Sequence, residues 1–241
     1  MIQKRVAVVT GVTGDIGIAV ANALIKDGFY VIGVARNESK PYYLDSIQDR
    51  SSFHFYKLDV ANIEEVQYFF ASTLILNCNI ECLVTCAGIL EMKNIYDTDE
   101  VSWNKIIDIN LNGTFYFFRL SIQKIRKDGN KANLFAIGSR WGQDGHRNSI
   151  AYNTSKSALK AFVKSAQLDL LGSSIRAFLI SPGSVAGSMS NSVDNSLTTK
   201  LIEPTQIADL IRFVNKSDTN IIFDEITIKA NPYDLEPRSS I

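Results

Sequence analysis

Cysteine is scarce in this chain of 241 residues, and neither sign of charge is in excess. The three cysteines, Cys78, Cys82 and Cys86, are an odd number, which fits a reducing compartment better than a disulfide framework. Their regular spacing invites a metal reading. A closed zinc site needs four nitrogen or sulfur ligands, however, and neither histidine, His54 or His146, lies near them in sequence. We therefore expect no metal site and read the cysteines as structural thiols, Cys82 and Cys86 in or at the end of a buried strand. Basic and acidic residues balance at 25 each, so charge offers no broad case for nucleic acid or an anionic membrane as partner. Hydrophobic runs are short, and none could span a bilayer. Met1-Ile2-Gln3-Lys4-Arg5 leads straight into a strand-like run without signal-peptide layout. The expectation from these absences is a cytoplasmic protein.

What is present is an ordinary hydrophobic content of 46% and length enough for one domain with a sizeable core, taken as residues 1–241. Short apolar runs alternate with stretches of helical period. Strands are predicted at Val6–Val9, Val31–Val34, Phe53–Leu58, Cys82–Val84, Leu134–Ile137, Ile175–Ile180 and Glu225–Ile228. Helices are predicted at Ile16–Lys26, Ile63–Leu76, Val101–Arg126 (with a break near Asn112-Gly113), Ile150–Leu171 and Thr205–Val214. Strands apolar on both faces and separated by helices mean a parallel sheet covered on both sides, and right-handed crossovers make it doubly wound. The polar stretch over 184–199 reads as a flexible substrate loop and the stretch from Asn231 as an irregular tail.

Two places carry chemistry. The first strand runs into Gly11, Gly14 and Gly17 and then a helix. That context suits a dinucleotide: glycines let the backbone approach a pyrophosphate, and the helix start offers unpaired N–H groups. The second place is Tyr152-Asn153-Thr154-Ser155-Lys156, with Ser139 upstream at the end of the fifth strand. Reducing a ketone builds negative charge on oxygen and needs a proton donor. A free tyrosine titrates near ~10. A lysine one helical turn away lies on the same face, with Cβ atoms about 5–6 Å apart, and its charge favours tyrosinate.

Taken together, Thr10-Gly11 with Gly17, Asn110, Ser139, Tyr152 and Lys156 resemble the short-chain dehydrogenase/reductase family. The resemblance implies a Rossmann-type doubly wound sheet and hydride transfer between a nicotinamide cofactor and a carbonyl or alcohol. It implies that Tyr152 is the general acid or base, that Ser139 hydrogen-bonds the substrate oxygen, and that Lys156 also holds the nicotinamide ribose. Asn110 is implied to support a water relay through Lys156. Further cofactor contacts are implied at Gly11, Thr13, Asp15, Ile16, Gly17, Asp59, Val60, Ala87, Gly88, Pro182, Gly183 and Val185.

The chain also departs from the family pattern. Asp15 replaces the middle glycine of the turn; we expect it to face outward and cap the helix, the alternative being a carboxylate opposed to the pyrophosphate. Thr85-Cys86 replaces a pair of asparagines, which removes hydrogen-bonding groups from the sheet centre. Gly187 replaces a threonine after Pro182-Gly183. Where NAD-specific chains carry an acid there is Ala35, followed by Arg36, whose guanidinium could clamp a 2′-phosphate. The expected cofactor is thus NADPH/NADP+.

Substrate contacts are expected at Ser139, Tyr152, Trp141 and His146, although Trp141 could instead pack beneath the loop and His146 could be solvated. Arg140, His146 and Arg147, with only Asp144 among them, suggest a positive rim that favours an anionic or carrier-bound ketone. The leading expectation is an NADPH-dependent ketone reductase. A 3-ketoacyl-carrier-protein reductase and a nucleotide-sensing protein without chemistry stay open. Apolar residues on the two long helices, among them Phe115, Phe117, Phe118, Phe162 and Val163, suggest a homodimer or homotetramer.

Overall fold

The structure, a computed structural model, describes residues 5–37, 45–190 and 201–230. The expected tail over 231–241 and most of the expected loop over 184–199 lie outside the described residues. Seven strands form one sheet: β1 (Arg5–Thr10), β2 (Tyr30–Ala35), β3 (Phe53–Lys57), β4 (Asn79–Thr85), β5 (Ala132–Ile137), β6 (Ile175–Pro182) and β7 (Ile226–Ile228). They are parallel throughout, in the order β3-β2-β1-β4-β5-β6-β7. The chain winds outward from β1 through β2 to β3, then returns to β4 on the other side of β1 and winds outward again. The strand order reverses between β1 and β4, which is where such sheets hold their ligands.

Helices cover both faces. Along β1, Val6 and Val8 point to one face and Ala7 and Val9 to the other, as the two-residue strand period requires. The first face packs against α2 (Ile63–Ala71), α5 (Gly113–Asp128) and α7 (Ile150–Asp169). The second packs against α1 (Asp15–Lys26) and α8 (Pro204–Lys216). Phe69, Phe70 and Phe117 meet with ring centroids 5.2–5.9 Å apart and fill the space between α2 and α5.

Local chemistry sets the helix ends. Asn62 accepts from the backbone N–H groups of Glu64 and Glu65 and starts α2. Glu203 and Gln206 form a capping box with Pro204 at the first turn of α8. The predicted helix Ile63–Leu76 ends at Ala71 and restarts after Ser72 as a short α3 (Thr73–Leu76). The predicted helix Val101–Arg126 is α4 (Glu100–Ile107) continuing into α5 through a π-helical turn over Asp108–Asn112.

Burial changes the case for assembly. Phe117, Phe118 and Val163 are fully buried in the core of a single chain, and Phe162 packs partly buried against it, so they are not leftover surface. Of the five, Phe115 is the exposed one, at 41%. The cysteines are free. Burial pushes the Cys82 thiol far up and that of Cys86 up to about 12, so neither ionises at neutral pH. Among the described residues, no helix is long and apolar enough to cross a membrane.

Candidate active site

A cleft of about 590 Å³ opens over the C-terminal ends of β1 and β4. One end is built by the turn between β1 and α1. Gly11 has φ +64°, and a Cβ there would stand 2.7 Å from the Ala87 backbone; a Cβ on Gly17 would stand 2.2 Å from the Gly11 carbonyl oxygen. The Thr10 hydroxyl accepts from the Ala87 N–H at 3.3 Å and ties this turn to the segment after β4. The turn therefore presents bare backbone and the start of a helix to the cleft, a surface suited to a phosphate group.

The other end holds the side chains expected to carry the chemistry. Tyr152 and Lys156 come from one face of α7, as their spacing dictates, and both are buried, at 7% and 6% exposure. Ser139 lies two residues beyond β5, with its hydroxyl accepting from the Trp141 N–H at 3.2 Å. Burial raises the pKa of Tyr152, and a hydrogen bond with Ser139 partly offsets that rise. Lys156 donates to the Ile137 carbonyl at 2.8 Å, with its nitrogen 5.7 Å from the Tyr152 ring centre. Burial lowers its pKa to about 8. The phenol is thus protonated at neutral pH, as a proton donor must be. Burial outweighs the lowering of Tyr152 expected from Lys156, whose ammonium bonds the end of β5 rather than the phenol oxygen.

A family model described as short chain dehydrogenase matches residues 5–197. The chain belongs to this family. It is an oxidoreductase of a family that uses nicotinamide cofactors. An uncharacterised oxidoreductase of Staphylococcus haemolyticus is 27% identical over 228 residues, covering 95% of this chain and 98% of that protein. A similar protein of Staphylococcus saprophyticus is 27% identical over 231 residues, covering 95% of this chain and 98% of that protein. Among solved structures, gox2181 superposes with a TM-score of 0.85 at 25% identity, covering 95% of each chain. An actinorhodin polyketide ketoreductase with NADPH gives 0.85 at 20% identity, covering 94% of this chain and 96% of that one.

Against the family expectations, Gly11, Thr13, Asp15, Ile16, Gly17, Arg36, Val60, Ala87, Gly88, Pro182, Gly183 and Val185 all line the cleft with Ser139, Trp141, Tyr152 and Lys156. Asp59 is not among the lining residues. Its carboxylate accepts from the Ala61 N–H and faces Arg36 at 3.8 Å. His146 is not part of the lining either: it is exposed and stacks on Trp141 at 3.8 Å. Trp141 meets Tyr152 edge-on at 5.9 Å. Arg140 pairs with Asp144, and neither it nor Arg147 lines the cleft, so the expected positive rim does not form around the reacting end.

Asn110 is fully buried. Its side chain accepts from the Ile89 N–H at 2.8 Å and donates to the Ile89 carbonyl and the Ser155 hydroxyl. It clamps the segment after β4 onto α7. Asp15 is not the helix cap: Gly14 is, and Asp15 is the first helical residue. Thr85 restores part of what the missing asparagines would supply by donating to the Phe135 carbonyl at 3.2 Å, across β4 and β5.

Sequence reasoning missed Glu225. It accepts from Ser181 at 2.7 Å and from Gln143, and pairs with Lys160 at 2.8 Å. This carboxylate ties β6, α7 and the short α6 (Trp141–Asp144) together behind Ser139. Separations of 44 to 82 residues leave no local signal for it.

Lys156 is buried without a carboxylate partner among the described residues, which costs stability, and the cost can be read by titration. Its pKa is lowered on folding, so the unfolded chain binds the extra proton between about 8 and the ordinary value of 10.5. The penalty is fully present below about pH 8 and is relieved as pH rises toward 10.5. Lys156→Met should therefore abolish turnover yet be more stable than wild type at pH 7 by roughly 1–3 kcal/mol, after about 1 kcal/mol for the lost Ile137 bond. The advantage should shrink as pH rises from about 8 toward 10.5 and be gone above it. Urea unfolding of both proteins at several pH values checks this; a variant less stable at pH 7 would contradict it.

Proposed function

We propose that this chain is an NADP(H)-dependent reductase that converts a ketone reversibly to a secondary alcohol. The observation that carries the reading is the meeting of Ser139, Tyr152 and Lys156 at one end of a cleft whose other end is the bare glycine turn. The residues fit a dinucleotide. Gly11 and Gly17 leave no room for a side chain, the first turn of α1 borders the cleft, and Arg36 reaches its rim from the end of β2. A bound nicotinamide would supply or accept the hydride.

The chain's own residues do the rest. The Ser139 hydroxyl hydrogen-bonds the substrate oxygen. The Tyr152 hydroxyl donates its proton to that oxygen as negative charge builds, and takes it back in the oxidative direction. Lys156, freed from Ile137, favours the tyrosinate left behind and bonds the ribose hydroxyls. Trp141 provides an apolar wall beside Tyr152. Arg36 clamps the 2′-phosphate and so selects NADP(H) over NAD(H). The ketoreductase with NADPH and a serine dehydrogenase described with NADP+ (TM-score 0.83, 23% identity, 92% of this chain and 94% of that one) agree with that choice.

Uncharged ketones fit better than anionic or carrier-bound ones, since the cationic loop residues stand off the cleft; a 3-ketoacyl-carrier-protein reductase is the second reading. We also read the protein as a homodimer or homotetramer, supported by exposed Phe115 and Val101 on the α4–α5 rod. The test is NADPH consumption with a panel of sugar, acyl-thioester and aromatic ketones. Turnover of at least one uncharged ketone is expected. Cofactor binding without turnover of any would instead favour a nucleotide-sensing protein.

A further inference from the structure

We propose that Asp15 is a positioning residue for the cofactor: its carboxylate latches the segment after β6 across the phosphate end of the cleft. The inference rests on the cleft being a dinucleotide site. Two positions where the sequence departs from the family pattern, Asp15 and Gly187, lie far apart in the chain and touch in the fold. Asp15 Oδ2 accepts from the Ser188 N–H at 2.8 Å and from the Ser188 hydroxyl at 3.0 Å. Gly187 makes the approach possible. It has φ +147°, and a Cβ there would stand 2.3 Å from Asp15 Oδ2 and 2.5 Å from the carboxyl carbon. With the family's glycine at position 15 there would be nothing to hold the segment. With its threonine at 187 the carboxylate would be pushed away.

All three residues line the cleft. Asp15 is at the first residue of α1, beside the glycine turn, and Gly187 and Ser188 follow the strand end that carries Pro182 and Gly183. The contact therefore joins the two halves of the sheet over the place where a diphosphate would lie. It also answers the electrostatic objection to an acid at this position. Two donors on one carboxylate oxygen draw its negative charge toward the roof, and the helix dipole at the start of α1 favours that charge. Asp15 thus closes the site from above. Its loss should free the roof and let the cofactor leave sooner.

Ser188 is exposed. Its amide has no burial to protect it, so slow hydrogen exchange there would report the latch alone. The experiment compares wild type, Asp15→Asn, Asp15→Ala and Gly187→Ala. It follows exchange at the Ser188 amide in the cofactor-free protein and NADPH dissociation by stopped-flow fluorescence. Wild type should be protected. Asp15→Ala should lose that protection and release NADPH roughly ten-fold faster, the scale of a lost charge-assisted hydrogen bond. Asp15→Asn, whose amide oxygen still accepts from Ser188, should fall between the two in both readouts.

Gly187→Ala leaves α1 intact and should mimic Asp15→Ala. In the double variant the two effects should not add, because either change alone breaks the same contact. Equal exchange at Ser188 in wild type and Asp15→Ala, with NADPH bound by both, would overturn the latch while leaving the cofactor reading in place. Protection that depends on Asp15 but leaves NADPH dissociation unchanged would overturn the positioning role. Failure of wild type to bind either NADPH or NADH, with Asp15-dependent protection intact, would overturn the cofactor reading and the role with it.

Discussion

Tyr152→Phe should lower turnover about a hundred-fold or more while leaving cofactor affinity nearly intact, the usual scale for removing a general acid. The substitution keeps the ring, and with it the edge-on contact to Trp141 at 5.9 Å and the place of Lys156 beside the ring face. Only the hydroxyl and its bond to Ser139 are lost. Direction matters as well as size. Burial raises the Tyr152 pKa above its ordinary value of 10.0, so the phenol holds its proton at neutral pH, the form that reduction requires. Oxidation of the alcohol needs tyrosinate and should accelerate with rising pH in wild type, whereas the residual rate of Tyr152→Phe should lack that rise. Steady-state rates in both directions, with NADPH binding followed by fluorescence, test the assignment. Near-normal turnover in the variant would remove Tyr152 from the mechanism.

Arg36→Ala should weaken NADPH by roughly ten- to a hundred-fold, the scale of a lost hydrogen bond to a charged group, and leave NADH almost unchanged. Arg36 is half exposed, and among the described residues the carboxylate it faces, Asp59, is 3.8 Å away, beyond hydrogen-bonding distance. Such a surface pair contributes little. The guanidinium can therefore exchange it for a phosphate, which offers a bidentate partner of greater charge. Ala35, immediately before it, leaves room and adds no repulsion. Titrations of wild type and variant with both cofactors distinguish this from a general loss of the site: equal weakening for NADPH and NADH would mean that Arg36 does not select between them.

The local signals were strong where one element held all the relevant residues. Tyr152 and Lys156 share a helix face because of their spacing alone, and α7 carries both into the cleft. Gly11 and Gly17 act within one turn. Their need for bare backbone could be inferred from a strand running into a helix, before the 2.2 Å approach of a Gly17 Cβ to the Gly11 carbonyl was visible. The long helical stretch was legible too, but not the π-helical turn over Asp108–Asn112 within it. That turn holds Asn110, whose side chain is bound to Ile89 and Ser155, partners 21 and 45 residues away. His146 and Arg140 show a related limit: loop position put them near the reacting end, but did not show the stacking of His146 on Trp141 or the pairing of Arg140 with Asp144.

The sequence by itself determined the parallel doubly wound sheet, the succession of its strands and helices, and the residue types gathered at the two ends of the cleft. These follow from hydrophobic period, strand–helix alternation and short-range spacing, which are properties of neighbouring residues. Only the tertiary structure decided which charged and polar groups are already partnered. Lys156 is bound to Ile137, the Arg140 charge is offset by Asp144, Asp15 turns to Ser188, and Glu225 fastens Ser181, Gln143 and Lys160. A hydrogen bond or ion pair extends only a few ångströms, and its strength depends on burial. Residues 173 positions apart, like Asp15 and Ser188, carry no trace of that closeness in the order of the chain.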